Sequence, residues 1–420
     1  MPAVDTISAE AVVIGAGPAG SAAALTLARR GVDVLLVDRS AFPREKVCGD
    51  ALIPDALAAL AALGVRDEIL AHSLRSSGIK VYAPHGREVA LHGECAVVPR
   101  FVLDDTLRAA AIASGARFLA PYRVIEPIVR QDHFRHGSST QVEYAGARFR
   151  DASGRVITVL ARWTILATGA AGEALRAFGV ADRAAPSATA ARVYMHAPAA
   201  ATSTSPFLLI SFGRQLAPGY GWVFPGPDGM FNVGVGIFHD ATRKPGDANL
   251  RAIMTTFLET FEPARALARA ASSMTRFVGA PLRTGLMGSA LARPGLLVAG
   301  EAAGATYSFS GEGIGKALET GMLAGGMVAD ALANADRSGD GRADAVAAAY
   351  VRRAERRFRE RFRAYQLAQR YLAHPAVVDF LAWRANAGSF VRAQLEGIFN
   401  ETADARQLFS PGGLVRALLS

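Results

Sequence analysis

The chain is short of cysteine and of lysine, and it holds no long apolar run. Two cysteines in 420 residues, Cys48 and Cys95, are too few for a disulfide framework. No apolar stretch approaches the roughly 18 to 20 residues that a membrane-crossing helix needs. The opening residues MPAVDTISAE carry neither a basic stretch nor an apolar core, so no export signal is expected and the cytoplasm is the expected compartment. Eight histidines fall at no metal-ligand spacing and no zinc pattern occurs, so no metal is expected. Lysine is scarce because 42 of the 46 basic residues are Arg, and the formal charge is +9. Such a balance suits nucleic acid, an anionic membrane surface or anionic cofactors. No nucleic-acid motif accompanies it, so a nucleic-acid partner is not expected. With 51% hydrophobic and 20% charged residues the composition is globular, and the length allows one large core or two modest ones.

What is present begins at residue 11. Ala11 to Ile14 reads as a strand, and Gly15-Ala16-Gly17-Pro18-Ala19-Gly20 turns it into an Ala-rich helix. Gly15 permits the tight turn, Gly17 lets the backbone approach a pyrophosphate, and Gly20 lets the helix pack on the sheet, so that a phosphate sits on the helix N-terminus. Val32 to Val37 reads as a second strand. Asp38 at its end is placed to accept hydrogen bonds from a ribose, with Arg39 beside it. Far downstream, Leu296 to Gly300 reads as a third, buried strand. Glu301 follows it, and Gly311-Glu312-Gly313-Ile314-Gly315 then leads into a helix beginning near Lys316.

This downstream segment resembles the part of glutathione-reductase-type flavoproteins that wraps the flavin. The resemblance implies one FAD held at both ends, by Gly15, Gly17, Pro18, Ala19, Gly20, Asp38 and Arg39 on one side and by Gly300, Glu301, Gly311, Gly313 and Ile314 on the other. In that family the acid is normally Asp, where this chain has Glu301. A single dinucleotide fingerprint leaves no second Rossmann domain for NAD(P)H. Electrons are therefore expected from a transiently docked nicotinamide or from a separate donor.

The expected fold is α/β, α+β overall: a glutathione-reductase-type FAD-binding Rossmann domain, an antiparallel-sheet substrate domain and C-terminal helices. The cofactor domain is expected to be discontinuous, over 1–77, 99–185 and 281–345. Short alternating runs place the substrate sheet at 78–98 and 186–280, where VYMHA, FLLISF, YGWVFP and MFNVGVGIF each read as a strand. Residues 346–420 read as helical, broken at His374-Pro375 and ending in a loop at Ser410-Pro411-Gly412-Gly413.

Phe42-Pro43-Arg44-Glu45-Lys46-Val47-Cys48-Gly49-Asp50 follows the second strand, and Ile53-Pro54 and Leu63-Gly64-Val65 follow in turn. This segment resembles the geranylgeranyl reductase family, within the class A flavin monooxygenase (p-hydroxybenzoate hydroxylase-like) fold. Val98-Pro99-Arg100, with Phe101, Asp104 and Leu107, is similar to that family's Arg-containing helix start, and Ala167-Thr168-Gly169-Ala170 to its cofactor-covering strand end. Tyr220-x-Trp222-x-Phe224-Pro225 followed by Gly234-x-Gly236 agrees with its YxWxFP…GxG pattern. The resemblance implies cofactor contacts at Arg44, Cys48, Gly49, Arg100, Ala167 and Gly169. It implies an apolar substrate cavity at Tyr220, Trp222, Phe224, Pro225, Gly234, Gly236 and Phe309. Three aromatics alternating along a strand share one face, and the two glycines are expected to leave room for a ligand. Two departures stand out: Ala171-Gly172 replaces Asp-Gly, and Tyr307-Ser308-Phe309-Ser310 replaces Asn-Pro-Phe-Thr.

The implied activity is FAD-dependent reduction of C=C bonds in a prenyl-type or quinone-linked apolar substrate. The alternative is oxygen transfer by a monooxygenase on the same fold. A halogenase is disfavoured, because Tyr220 and Phe224 depart from the Trp-x-Trp-x-Ile-Pro signature and no lysine lies between Lys46 and Lys80. A non-enzymatic flavin or lipid carrier is a further alternative. Cys48 is the candidate catalytic residue, as proton donor or redox thiol, against the plainer reading of a buried small hydrophobe. Asp50 and Arg44 read as loop-shaping, and Lys316 as either a partner of the flavin edge or a solvated lysine.

Residues 352 to 363, RRAERRFRERFR, hold seven Arg and two Glu, with Phe358, Phe362, Tyr365 and Leu372 at helical spacing. Two readings fit: a helix docked on the body with a solvated basic face, or a peripheral contact with the inner face of the membrane. The oligomeric state is left open by the sequence.

Overall fold

The computed structural model describes residues 5–132, 141–183, 185–201, 206–239, 249–338 and 343–419. Residues 1–4 of the amino-terminal stretch considered above lie outside them. Two sheets organise the molecule. The first runs Ala292–Arg293, Leu296–Val298, Val156–Leu166, Asp5–Ile14, Val34–Val37, Arg117–Leu119. Asp5–Ile14 is parallel to both of its neighbours, and Leu296–Val298 and Arg117–Leu119 extend the parallel set on either side. Helices cover this sheet, so its central strands are apolar on both faces: Val34, Leu35, Leu36 and Val37 are all buried. The antiparallel pair Arg123–Asp132 and Gln141–Arg150 joins the sheet through Val156–Leu166.

The helix Pro18–Ala28 follows the first strand with the sequence PAGSAAALTLA, and ten of its eleven residues are buried. Its small side chains let a second helix, Ile314–Ser338, come close. A Cβ on Gly325 of that helix would lie 2.7 Å from the Ala23 carbonyl oxygen, so the two backbones touch. Gly321, nearer the start of that helix, would place a Cβ 2.1 Å from the Ala19 carbonyl oxygen, so this part of the helix lies against the end of the nucleotide loop.

The second sheet runs Ser273–Met274, Ala188–His196, Met230–Phe238, Gly219–Pro225, Leu208–Ser211, Leu74–Tyr82, Glu88–Val97, Ala51–Leu52, with Val278–Leu282 also on Ala188–His196. It is antiparallel except where Leu208–Ser211 runs parallel to Leu74–Tyr82. That junction joins segments far apart in sequence, which no hairpin constrains.

Four helices close the fold: Ala343–Leu372, Pro375–Ala387, Ser389–Phe399 and Pro411–Leu419. The last corrects the loop expected at 410–413. Pro411 occupies the helix start, where its missing N–H costs nothing, and the Ser410 hydroxyl accepts from the Gly413 amide at 3.0 Å. The long Arg-rich helix docks on the body: Phe358, Phe362 and Tyr365 are 2 to 3% exposed and share a core with Val89, Leu91 and Leu208 of the second sheet. Its aromatic face is therefore not available to a bilayer. Two of its arginines are structural as well, Arg357 pairing with Glu319 at 2.9 Å and Arg361 with Glu401. Among the described residues no helix is long and apolar enough to cross a membrane.

Candidate functional site

The strand-to-helix turn at Gly15 is built for a backbone approach. Gly15 has φ +104°, and a Cβ there would meet the Ala167 carbonyl oxygen at 2.5 Å. Gly17 faces the other way, with only the Arg44 guanidinium 3.7 Å from where its Cβ would be. Asp38, 6% exposed, accepts from the Ala16 amide at 2.7 Å and from the Ser40 amide at 2.8 Å. Arg44 lies 3.2 Å from Asp104, which also takes Arg100 as a bidentate pair at 2.8 and 2.8 Å. The two guanidiniums thus share one buried carboxylate and project from it toward the same cavity. Across that cavity stand Glu301 and the turn Gly311, Gly313, Ile314 at the start of the helix. Thr168 Oγ1 is buried there without a partner.

These features fit FAD. The loop is open at Gly17, the acid at the strand end is oriented by two amides, the start of the helix Ile314–Ser338 lines the opposite side, and two arginines supply positive charge. Gly15, Gly17, Pro18, Ala19, Asp38, Arg39, Arg44, Cys48, Gly49, Arg100, Ala167, Gly169, Glu301, Gly311, Gly313 and Ile314 all line one cavity. Gly20 and Gly300 lie behind it as packing positions. A Cβ on Gly300 would stand 2.6 Å from the Ala19 methyl, which explains why both must be small.

The cavity, about 480 Å³, continues past the nucleotide loop along the second sheet. Tyr220, Trp222 and Phe224 form a row with ring centroids 6.1 and 6.2 Å apart, and Gly236 and Phe309 join them on the wall. The Tyr220 hydroxyl donates to the Ser310 carbonyl, tying this strand to the Gly311 turn. Gly234 makes room for Trp222 rather than for a ligand. A Cβ there would collide with the indole and lie 2.6 Å from the Ala191 carbonyl oxygen. Pro225 is behind the wall as well.

Beyond the aromatic row the cavity enters the C-terminal helices, where Tyr365, Leu381, Ile398 and Phe399 face Ile79 and Leu91 of the sheet. Sequence reasoning missed this extension, since no contiguous signal marks side chains drawn from five elements. Tyr307, in the departing Tyr-Ser-Phe-Ser segment, anchors that lobe. Its ring lies 4.3 Å from Tyr365 and its hydroxyl donates to Glu401 at 2.5 Å.

Cys48 is half-buried. Its thiol accepts from the Asp50 amide at 3.3 Å, and burial pushes its pKa up while Arg100 pulls it down. Asp50, read from sequence as loop-shaping, is a buried acid whose pKa burial raises to about 6, against the opposing pull of Tyr194, Asn232, Arg100 and Arg192. Asn232 was also missed, although a lone polar residue inside MFNVGVGIF is a usable signal. Lys316 is neither solvated nor free to face a flavin: it is 1% exposed, 3.4 Å from Asp55 and 3.1 Å from Glu401, and contacts Glu319. Burial raises the pKa of neighbouring Glu312, whose Oε1 accepts the Gly315 amide at 2.8 Å.

Comparison with known proteins agrees with this geometry. A family model described as an FAD binding domain matches residues 8–354. A menaquinone reductase of Mycolicibacterium smegmatis is 36% identical over 338 residues, 75% of each chain. A digeranylgeranylglycerophospholipid reductase of Methanopyrus kandleri is 29% identical over 328 residues, 77% of each chain. The crystal structure of a geranylgeranyl bacteriochlorophyll reductase-like protein of Thermoplasma acidophilum superposes with a TM-score of 0.74 at 21% identity, covering 99% of this chain and 96% of the other.

Proposed function

The chain belongs to the FAD binding domain family and, within it, to the geranylgeranyl reductase family of FAD-dependent oxidoreductases, and from that premise we propose that it reduces C=C bonds in the prenyl chain of an apolar substrate, such as a prenylated quinone. One observation carries the reading. The cavity that begins at the nucleotide loop runs on without a break along Tyr220, Trp222 and Phe224 into an apolar lobe between sheet and helices. A long hydrocarbon chain suits such a space, and a small soluble aromatic would leave most of it empty.

FAD, when bound and reduced, supplies the hydride. The chain's own residues do the rest. Gly15, Gly17 and Asp38 hold the nucleotide end, with Arg44 and Arg100 fixed on Asp104 beside it. Glu301 and the Gly311 to Ile314 turn hold the flavin end. The aromatic row aligns the chain, and the lobe at Leu381 and Phe399 excludes water from it. The reductant is a transiently docked nicotinamide or a separate carrier. An apolar substrate of this kind is met at a membrane, and we place that contact on the outer face of the last helices. Val415, Leu418 and Leu419 are 57, 59 and 82% exposed there, beside Trp383 on the helix whose inner side walls the cavity.

The test is anaerobic incubation of chemically reduced, FAD-loaded protein with prenylated quinones and prenyl lipids, followed by mass spectrometry. A gain of two hydrogens is expected. A product that forms only with O2 and gains one oxygen makes the protein a monooxygenase instead.

A further inference from the structure

Asp50 is an acid that the cavity leaves half-paired, as is Glu312, but Asp50 stands on the sheet side beside Trp222 and Asn232. It stands two residues past Cys48 with φ +65°, a left-handed backbone that residues other than Gly, Asn and Asp seldom hold. It lines the cavity and is 1% exposed. Its Oδ2 accepts from the Tyr194 hydroxyl at 2.5 Å and from the Asn232 amide at 2.8 Å, whereas Oδ1 is buried with no hydrogen-bond partner. Asn232 is fixed in turn, its Oδ1 accepting from Trp222 Nε1 at 2.9 Å and its Nδ2 donating to the Cys48 carbonyl at 2.8 Å. A buried carboxyl oxygen left without a partner is costly when ionised, and protonation removes that cost.

We propose that Asp50, rather than Cys48, holds the proton taken up in the reaction, carrying it on Oδ1 at the cavity wall. The proposal rests on the reading of the protein as a double-bond reductase. In the balanced step, one alkene carbon takes a hydride with its electron pair, provided by reduced FAD, and the other carbon takes the Oδ1 proton. The π bond, the N–H bond of the reduced flavin and the Asp50 O–H bond break, two C–H bonds form, oxidised FAD and the Asp50 carboxylate remain, and solvent returns the proton to Asp50.

The groups around Asp50 favour this assignment. Tyr194 and Asn232 present donors to Oδ2 only, which leaves the acidic proton to Oδ1. Arg192, stacked 3.8 Å from the Tyr194 ring centroid, is paired with Glu45 at 2.7 Å, and Arg100 shares Asp104 with Arg44. Both guanidiniums still favour the carboxylate, and burial outweighs them. The Cys48 thiol is a poorer acid, since burial raises a value that already begins near 9.

Two substitutions separate chemistry from shape. Asp50→Asn keeps the side-chain outline and a residue type tolerant of the left-handed backbone, and Asp50→Gly keeps the turn while removing the carboxyl. Infrared difference spectra of the FAD-loaded protein should show a carboxyl band that titrates near pH 6 and is missing from both variants. In rapid mixing of reduced protein with substrate, double-bond reduction should fall at least 100-fold in both variants, as expected for loss of a general acid. It should also slow tenfold per unit above pH 6 in the wild type. A wild-type spectrum without the band, or unchanged reduction in Asp50→Asn with a large loss in Cys48→Ser, overturns the proposal. A titrating band in a protein that adds hydrogen to no prenyl substrate overturns the reductase reading and leaves the buried proton in place.

Discussion

The nucleotide loop and the far end of the cavity solve the same problem, holding an elongated ligand, by opposite means. At the loop the contacts come from consecutive backbone positions, where Gly15 and Gly20 are dictated by an atom a side chain would strike, the Ala167 and the Gly15 carbonyl, and Gly17 is left open. At the far end the contacts come from single side chains on separate elements: Ile79, Leu91, Tyr365, Leu381, Ile398. A backbone site tolerates almost no substitution and reads as a motif. A side-chain wall tolerates volume-conserving exchange and leaves no pattern. The cofactor end is therefore fixed while the substrate end is free to be reshaped.

The largest effect should come from the loop. Gly15→Ala places a Cβ on the Ala167 carbonyl at φ +104° and should cost about 2 to 5 kcal/mol in stability. Flavin retained on purification should fall with it. Thermal unfolding and the absorbance of released FAD check both, and a yellow, equally stable variant breaks the contrast at its strict end. Asp50 tests the boundary between the two regions. Its raised pKa means that folding favours the protonated form, so this group's contribution is full below pH 4 and is lost as pH rises toward 6. Asp50→Asn should gain up to about 3 kcal/mol over wild type at pH 8 and nothing at pH 4. Denaturant unfolding at the two pH values decides it, and equal differences at both would show an acid that is ionised throughout.

The substrate end should respond more gently. Trp222→Ala should weaken prenyl-substrate binding by about 1 to 3 kcal/mol with FAD content unchanged. Trp222→Phe should keep most of the wall while freeing Asn232 from its indole donor. Binding measured by flavin fluorescence separates the two losses. If FAD leaves and substrate affinity stays, the aromatic row serves the cofactor.

The same contrast explains what the sequence disclosed. The parallel cofactor sheet, the aromatic strand and the segments around Gly15, Glu301 and Arg100 were legible, because each is a short run whose spacing carries its geometry. The roles of Lys316 and Tyr307 were not. Lys316 is held by Asp55, Glu319 and Glu401, and Tyr307 by Tyr365 and Glu401, partners gathered only by the fold. Tyr194 lacks any local signal, being one aromatic in a strand of alternating residues. The Arg-rich helix was legible as a helix, yet its periodicity could not say which surface its aromatic face meets. Pro411 and the two glycines after it read as a loop because Pro and Gly mark turns, whereas here Pro411 starts a helix.

The smallest effect concerns the surface. Val415, Leu418 and Leu419 project from the helix Pro411–Leu419, which is joined to the helix bearing Trp383 by Arg384 donating to the Ala417 carbonyl at 2.8 Å. Val378 and Leu381, on the inner side of that second helix, wall the cavity, so a bilayer met here lies one helix away from the apolar lobe. On the Arg-rich helix, Arg352, Arg356, Arg359 and Arg363 remain exposed after its aromatics are buried. Each can add about 1 kcal/mol near anionic lipid, screened within roughly 8 Å at physiological salt. Sedimentation with anionic vesicles should therefore recover the protein, and Val415→Asp with Leu418→Asp should release it at any salt. Replacing the four exposed arginines by Gln should only steepen the loss with salt. A doubly substituted protein that still pellets with vesicles, while the arginine variant does not, would return the membrane contact to the Arg-rich helix as a purely electrostatic one.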